Sequence, residues 1–439
     1  MNNRELSIPS NGIAARVSDA AERAMARMRA HGFEDAQVSA AHLLRREVNI
    51  AHNEPSLLRS TESPNLSLIG IFDGRKACIE LPALEVDDAL EVRLAGLRAE
   101  VESAPTDDAN AVSSDQCATV EQGPQSEDLD VLLRAARSLL DFRGRRSPRT
   151  TIDEAFVSYR RRQWRTLTSG GSDLSGSVGW YEAAVFCVAR DGKAVSSFNG
   201  AGGTADGLDE ELVAHFGIGD MLCDTERQVR PRPVNAPFVG SVVLAPTAVD
   251  DLLGWLLGQL GDAHLIGRTS LYRDKVGQQV ASPLLTLRSR FDAPGIAAVS
   301  ADAFRTPPVQ VLAAGTLRCL LPTLYGSRKT GLTHVPTANG GWELAAGSTS
   351  RAKLVEGVAR GALVGRLSMG RPASNGDFSG VIKNSFFIDN GCLGDAISET
   401  MISGNVARML LDVDGVSSDR IDFGTTQLPW LRVPGMHFS

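Results

Sequence analysis

Aromatic residues are scarce in this sequence, and no clustered metal-type ligands are present. Phe, Trp and Tyr together make up 5% of the 439 residues, while glycine contributes 43. Few aromatics with many glycines exclude a bundle of long helices and point to turns and glycine-interrupted strands. The histidines are His31, His42, His52, His215, His264, His334 and His437, and no two fall within one helical turn. There is no H-E-x-x-H or relative of it, so the paired imidazoles of a helix-borne zinc site are missing. The cysteines Cys78, Cys117, Cys187, Cys223, Cys319 and Cys392 form no CxxC and read as buried free thiols rather than a disulfide framework. No run approaches the ~20 apolar residues of a membrane span. The best candidate, 252–260, is broken by Gly254, Gly258 and Gln259. Met1 to Glu5 hold no apolar leader core, and the expected location is cytoplasmic. A G-x-S-x-G elbow and a G-x-G-x-x-G after a strand are both absent. Positive charge is not in excess either: 45 Lys plus Arg against 52 Asp plus Glu gives −7. That argues against a constitutive polyanion binder, and nucleic acid is not the expected partner.

What is present is globular, with 43% hydrophobic and 22% charged residues. At about 150 residues per domain, the length predicts two or three domains. Val17, Ala21, Met25 and Met28 form one stripe of a helix over 17–31, with Asp19 and Glu22 at capping-box spacing and Gly32 as its stop. Alternation over 38–50 predicts a strand. Two short apolar runs, 66–72 and 76–81, flank Asp73-Gly74, the favoured two-residue hairpin turn. Leu90, Leu94, Leu97 and Val101 return to helical spacing. Residues 1–101 therefore read as a first α+β segment.

Residues 102–128 hold Asp107, Asp108, Asp115, Glu121 and other acids but no Lys or Arg, which reads as an acidic linker or loop. A helix over 129–141, strands over 156–159 and 176–189, an Asp191-Gly192 turn and a short helix over 208–216 make a second α+β segment, 129–230. Arg230-Pro231-Arg232-Pro233 marks its boundary. Beyond it, 235–439 reads as a mainly β domain, with a strand at 242–244 and a helix at 248–260 capped by Thr247. The predicted class is α+β.

Two features invite a functional reading. Arg160, Arg161, Arg162 and Arg165 surround Trp164, a pattern able to grip phosphates, but it reads more simply as an edge strand whose charges deter aggregation. Gly326-Ser327-Arg328-Lys329-Thr330-Gly331 superficially matches a phosphate loop but lacks its Gly-Lys-Ser/Thr ending and preceding strand. It reads as a glycine-bounded surface loop, and Gly326, Ser327, Thr330 and Gly331 are the candidate substrate or partner groove. The residues offer no catalytic or metal site.

The run Gly240-Ser241-Val242-Val243-Leu244-Ala245-Pro246, the Leu-rich helix after it, and Ser270-Leu271-Tyr272-Arg273-Asp274 resemble the PmbA/TldE side of the TldD/PmbA family, also called modulators of DNA gyrase. Gly376-Asp377-Phe378-Ser379, Ile388-Asp389-Asn390-Gly391, Ile402-Ser403-Gly404-Asn405 and the ending Pro429-Trp430-Leu431-Arg432 are similar too. The resemblance implies two small amino-terminal segments and a carboxyl-terminal domain of the TldD/PmbA type. It implies a pair of subunits, of which the TldD type carries an H-E-x-x-x-H zinc helix and the TldE type does not. The helix here reads Leu252-Leu253-Gly254-Trp255-Leu256-Leu257, without His or Glu. On this resemblance the chain is a non-catalytic subunit with no cofactor of its own. A TldD-like zinc metallopeptidase is then its partner and holds the zinc, and peptides or unfolded small proteins are the substrate. The alternative is a stand-alone family member with a rebuilt, non-proteolytic pocket. One departure stands out: Phe291-Asp292-Ala293-Pro294-Gly295 has proline where the family pattern has glutamate.

Overall fold

The computed structural model describes residues 10–208, 211–337 and 340–439. The Met1–Glu5 stretch lies outside them, as do residues 209 and 210 of the helix expected over 208–216. Its described remainder is one 3-10 turn, Leu212–Ala214, followed by a helix the sequence did not announce, Ile218–Arg227.

Helix α1 runs Ser10–Ala30. Its buried stripe includes Val17, Ala21, Met25 and Met28, as the spacing predicts. Asp19 and Glu22, however, lie mid-helix rather than at a cap. Asp19 pairs with Arg23 one turn on at 2.6 Å, and Glu22 reaches Arg165. Gly32 ends the helix region at φ +72. Strands β1 (Asp35–Ala51), β2 (Glu54–Phe72) and β3 (Arg75–Leu81) follow as antiparallel neighbours. Asp73 and Gly74 both take the positive φ that a tight hairpin needs, +51 and +67. A second tight turn at His52 and Asn53, φ +52 and +69, extends β2 back to Glu54. The exposed first half of β2 has no alternating pattern to betray it. Helix α2 (Asp88–Ser103) is capped by Asp87 and buries Leu90, Leu94, Leu97 and Val101.

The stretch 102–128 is not a free linker. Its Cys117–Gln122 forms β4, which pairs in parallel with β6 (Asp173–Asp191). Helix α3 (Leu129–Arg146), capped by Asp128, leads into β5 (Thr150–Thr168). Tyr159 of β5 donates its hydroxyl to Pro124 O at 2.9 Å, and Arg161 donates to Gln125 O at 2.6 Å. A short parallel edge strand gives little sequence signal, so composition alone suggested a linker.

The expected edge strand for the arginines is also corrected. β5 lies inside the sheet, paired along its length with β1 on one side and β6 on the other. Arg160 meets Glu182 at 2.9 Å, and Arg165 meets Asp173 at 2.8 Å. Strand β7 (Ala194–Val195) and the glycine-rich β8 (Asn199–Ala205) both pair with β6. The two amino-terminal segments thus share one sheet, in the order β3-β2-β1-β5-β6-β4. Its 17- and 19-residue strands are long enough to cover two separate cores. One forms around α1 and α2, and the other around α3 and the helix α4 (Ile218–Arg227).

The Arg230–Pro233 stretch does not swing free: Arg232 N donates to Ala396 O and Ser398 N to Arg232 O, both at 2.8 Å. Strand β9 (Phe238–Leu244) then enters a 13-stranded sheet, between the parallel strand Arg360–Val364 and the antiparallel strand Thr426–Phe438. Helices α5 (Pro246–Leu260), α6 (Asp262–Ile266) and α7 (Leu324–Thr330) pack with this half. The architecture is α+β, with a mainly β carboxyl-terminal half. Among the described residues no helix is long and apolar enough to cross a membrane. The cysteines are unpaired, but Cys78, Cys117 and Cys392 are exposed rather than buried.

The fully buried Tyr159 tests how 102–128 is held, since burial pushes its hydroxyl up to about 12, so it stays protonated and donates to Pro124 O. Tyr159→Phe strands that carbonyl. It should cost about 1 kcal/mol in a urea titration and speed protease nicking near 124.

Candidate functional site

Helix α5 starts at Pro246, whose missing N–H costs nothing at the first helical position. Thr247 is not the cap predicted; its hydroxyl donates to Gly365 O at 2.6 Å. Val249, Leu252, Leu253, Leu256 and Leu260 bury one side of the helix. The fully buried Gln259 fixes its last turn, donating to Ser374 O at 3.3 Å and accepting from Leu271 N at 2.9 Å. The opposite side carries Thr247, Asp251, Gly254 and Gly258, spaced 4, 3 and 4 apart, so they share one face.

That face is the floor of a cleft of about 860 Å³. Its far wall is the segment from Arg366 to Pro372, and Gly200 of β8 closes one end. A Cβ added at Gly254 or Gly258 meets nothing within 4 Å, so the cleft reaches the bare helix backbone. Asp251 is exposed in the cleft, yet the protein around it and the neighbouring Asp250 push its carboxyl up to about 6, against the opposing pull of Arg366.

The donor set does not fit a zinc ion. The cleft face of α5 offers one carboxylate between a threonine and two glycines. His264, at the cleft rim, has its Nδ1 2.9 Å from the Thr269 hydroxyl. Among the described residues, no three His, Cys, Asp or Glu side chains converge.

The groove residues expected from sequence lie elsewhere. Gly326, Ser327 and Thr330 belong to α7, and Gly331 ends it at φ +73, so the predicted surface loop is a short helix. Thr323 caps it, and Asp262 accepts from Thr323 N at 3.0 Å. A Cβ at Gly326 would fall 1.8 Å from Asp262 Oδ1 and displace the carboxylate that accepts from Thr323. Ser327 Oγ donates to Leu332 O and Thr330 Oγ1 to Gly326 O, both at 2.6 Å. None of the four lines the α5 cleft. Sequence reading passed over Asp251, Gly254, Gly258 and Arg366, although the 4-3-4 spacing of Thr247, Asp251, Gly254 and Gly258 was there to be read as one face.

Two outcomes follow from the cleft floor. The carboxyl of Asp251 is raised above its ordinary 3.8, so the folded chain binds more protons between pH ~4 and 6 and loses stability as pH rises through that window. Asp251→Asn should therefore raise the melting temperature at pH 7, and that advantage should vanish near pH 4 in paired thermal scans. Gly254→Ala and Gly258→Ala should each stabilise the chain by up to about 1 kcal/mol in urea unfolding, the helix-propensity gain with no steric penalty.

Comparison with known proteins adds to this geometry. The family profile of the PmbA/TldA metallopeptidase C-terminal domain matches residues 239–439. Metalloprotease PmbA of Escherichia coli O157:H7 is 26% identical over 227 residues, 49% of this chain and 50% of that protein. The match thus spans about half the length of that curated relative. The fold matches TldE from Thermococcus kodakarensis with a TM-score of 0.81 and 17% identity, over 96% of this chain and 100% of that one. A Bacteroides thetaiotaomicron protein described as a modulator of DNA gyrase matches with a TM-score of 0.78 and 20% identity, over 96% and 98%. At such identities the two structures establish the fold. The profile, the curated relative and the shared fold converge on one assignment: residues 239–439 are a C-terminal domain of the PmbA/TldD metallopeptidase family, within a chain that has the fold of TldE.

Proposed function

We propose that this chain is the non-catalytic, TldE/PmbA-like subunit of a TldD–TldE-type metalloprotease complex, acting in the cytoplasm on peptides or unfolded small proteins. The observation that carries this reading is α5. The family resemblance sets the zinc helix of the TldD type in this domain; α5 is buried on one side and open to the cleft on the other, and its cleft face offers a metal only Asp251. A lone carboxylate neither holds a dication nor activates its water, for which three protein ligands are the usual minimum. The cleft is still long, polar and bare-floored, and it suits an extended peptide backbone that approaches the glycines closely. In this reading a zinc-bearing TldD-like subunit supplies the chemistry, and this chain supplies binding surface and one wall of the substrate path.

The expected outcome is that the purified chain carries no stoichiometric zinc and cleaves no peptide alone. Chelator-sensitive cleavage should appear on mixing with a TldD-like subunit and disappear when residues 235–439 are deleted. Elemental analysis, sedimentation and a peptide-cleavage assay on the mixture measure this. One tightly held zinc per chain, or peptide cleavage by the chain alone, overturns the reading.

A further inference from the structure

A second, smaller cavity of about 110 Å³ opens off the cleft, sharing Gly200, Thr247 and Arg366 with it. It lies on the seam between the two halves, between β8 and α4 on one side and the strands Arg360–Val364 and Ser385–Asp389 on the other. Phe216, Met221, Phe386 and Trp430 give it apolar walls. Its inner polar group is Asn384, 8% exposed and held at φ +50 in the bend between two strands. The amide Nδ2 of Asn384 donates to Phe198 O at 3.2 Å, which fixes the side-chain orientation. The remaining Oδ1 is buried and has no partner among the described residues. An unmet buried acceptor is destabilising, so the cavity calls for a hydrogen-bond donor.

The other polar groups narrow the donor. Arg351 is occupied by Asp220 at 3.3 Å and by the Trp430 ring at 4.9 Å. Asp224 also lines the cavity, with one oxygen 3.1 Å from Arg227. Burial raises its carboxyl against the pull of Arg227 and Arg351, so a further cation beside it would favour its ionised form. The site thus joins two acceptors, apolar walls sized for a short side chain, and a mouth opening onto the proposed peptide cleft.

We propose that this cavity captures the unblocked amino terminus of a peptide, with the terminal ammonium donating to Asn384 Oδ1 and Asp224 and the first side chain against Phe386 and Trp430. The chain then leaves past Thr247 and Arg366 into the α5 cleft. This rests on the peptide-binding reading above and adds to it the chemistry that selects one end of the substrate.

The test uses the full chain and two peptides, Ala-Leu-Ser-Gly-Ser-Gly with a carboxyl-terminal fluorophore and the same peptide N-acetylated, in anisotropy titrations at pH 7. The unblocked peptide should bind at least tenfold more tightly, and that preference should fade at pH 9, above the ~7.7–8.0 range of an α-amino group. Asn384→Gly keeps the positive φ while removing the acceptor. Asp224→Asn removes the charge. In each variant, with folding checked by melting temperature, the preference should fall below threefold. Equal binding of both peptides overturns the amino-terminus proposal and leaves the cleft reading standing. Binding of neither overturns both readings and leaves the cavity to ordered water. A preference unchanged in both variants overturns the assignment to this cavity.

Discussion

The cleft and the cavity depend on one backbone-to-backbone approach. Strand β8, Asn-Gly-Ala-Gly-Gly-Thr-Ala, lies directly against the Asp422–Gly424 bend of the carboxyl-terminal half. Thr204 N donates to Phe423 O at 3.0 Å. A Cβ on Gly203 would sit 2.5 Å from that same oxygen, and one on Gly424, at φ +82, would sit 2.0 Å from Thr204 O. Side chains at either place would push the halves apart. Asn199, Gly200 and Ala201 on one side and Ala245 and Thr247 on the other would then no longer enclose a common space. The glycines are a packing requirement at the seam, and the site is a consequence of it.

A second clamp sits further along. Thr204 Oγ1 donates to Pro294 O at 2.9 Å, Gln122 Nε2 donates to Ala293 O at 3.0 Å, and Gly295, at φ +84, lies under the Trp180 ring. This is the Phe291–Gly295 stretch, which carries a proline where the resembling family pattern has a glutamate. In this chain the stretch presents backbone carbonyls to the amino-terminal sheet, a role that proline fills without loss because it gives up only a donor. β4, inside the stretch whose acidic composition reads as a linker, is what holds Gln122 in place. The acidic segment therefore bears on the relative placement of the halves.

How far the sequence reveals this varies with the kind of signal. Elements that bury a periodic apolar face were legible: α2 through its four buried leucine and valine positions, the Asp73-Gly74 hairpin through its turn chemistry, and β9 through its valines. Elements that work through backbone were not. β8 has almost no side chains to pattern, β4 pairs in parallel at a sheet edge, and the first half of β2 is exposed on both faces. The arginines of β5 misled for a related reason. Charge suggested an edge, but inside the long sheet Arg160 pairs with Glu182, Arg161 donates to Gln125 O and Arg165 pairs with Asp173. Of the site, the missing His and Glu of α5 could be read directly. The cavity was not legible, because Asn384, Asp224, Phe216 and Trp430 are far apart in sequence and meet only across the seam.

The composition of α5 bears on the role proposed for it. A metal helix needs its ligands on the open face and an apolar anchor on the other. Here the apolar anchor runs from Val249 to Leu260, and the buried Gln259 ties the last turn to Ser374 and Leu271. The open face carries two glycines that no neighbour among the described residues requires. Packing alone favours alanine at both places, and catalysis would need donors there. Close approach of another chain's backbone needs neither; it needs the floor kept bare. A helix anchored this firmly, with its exposed side stripped to the main chain beside a seam cavity that holds an unmet acceptor, suits the peptide-receiving role proposed above.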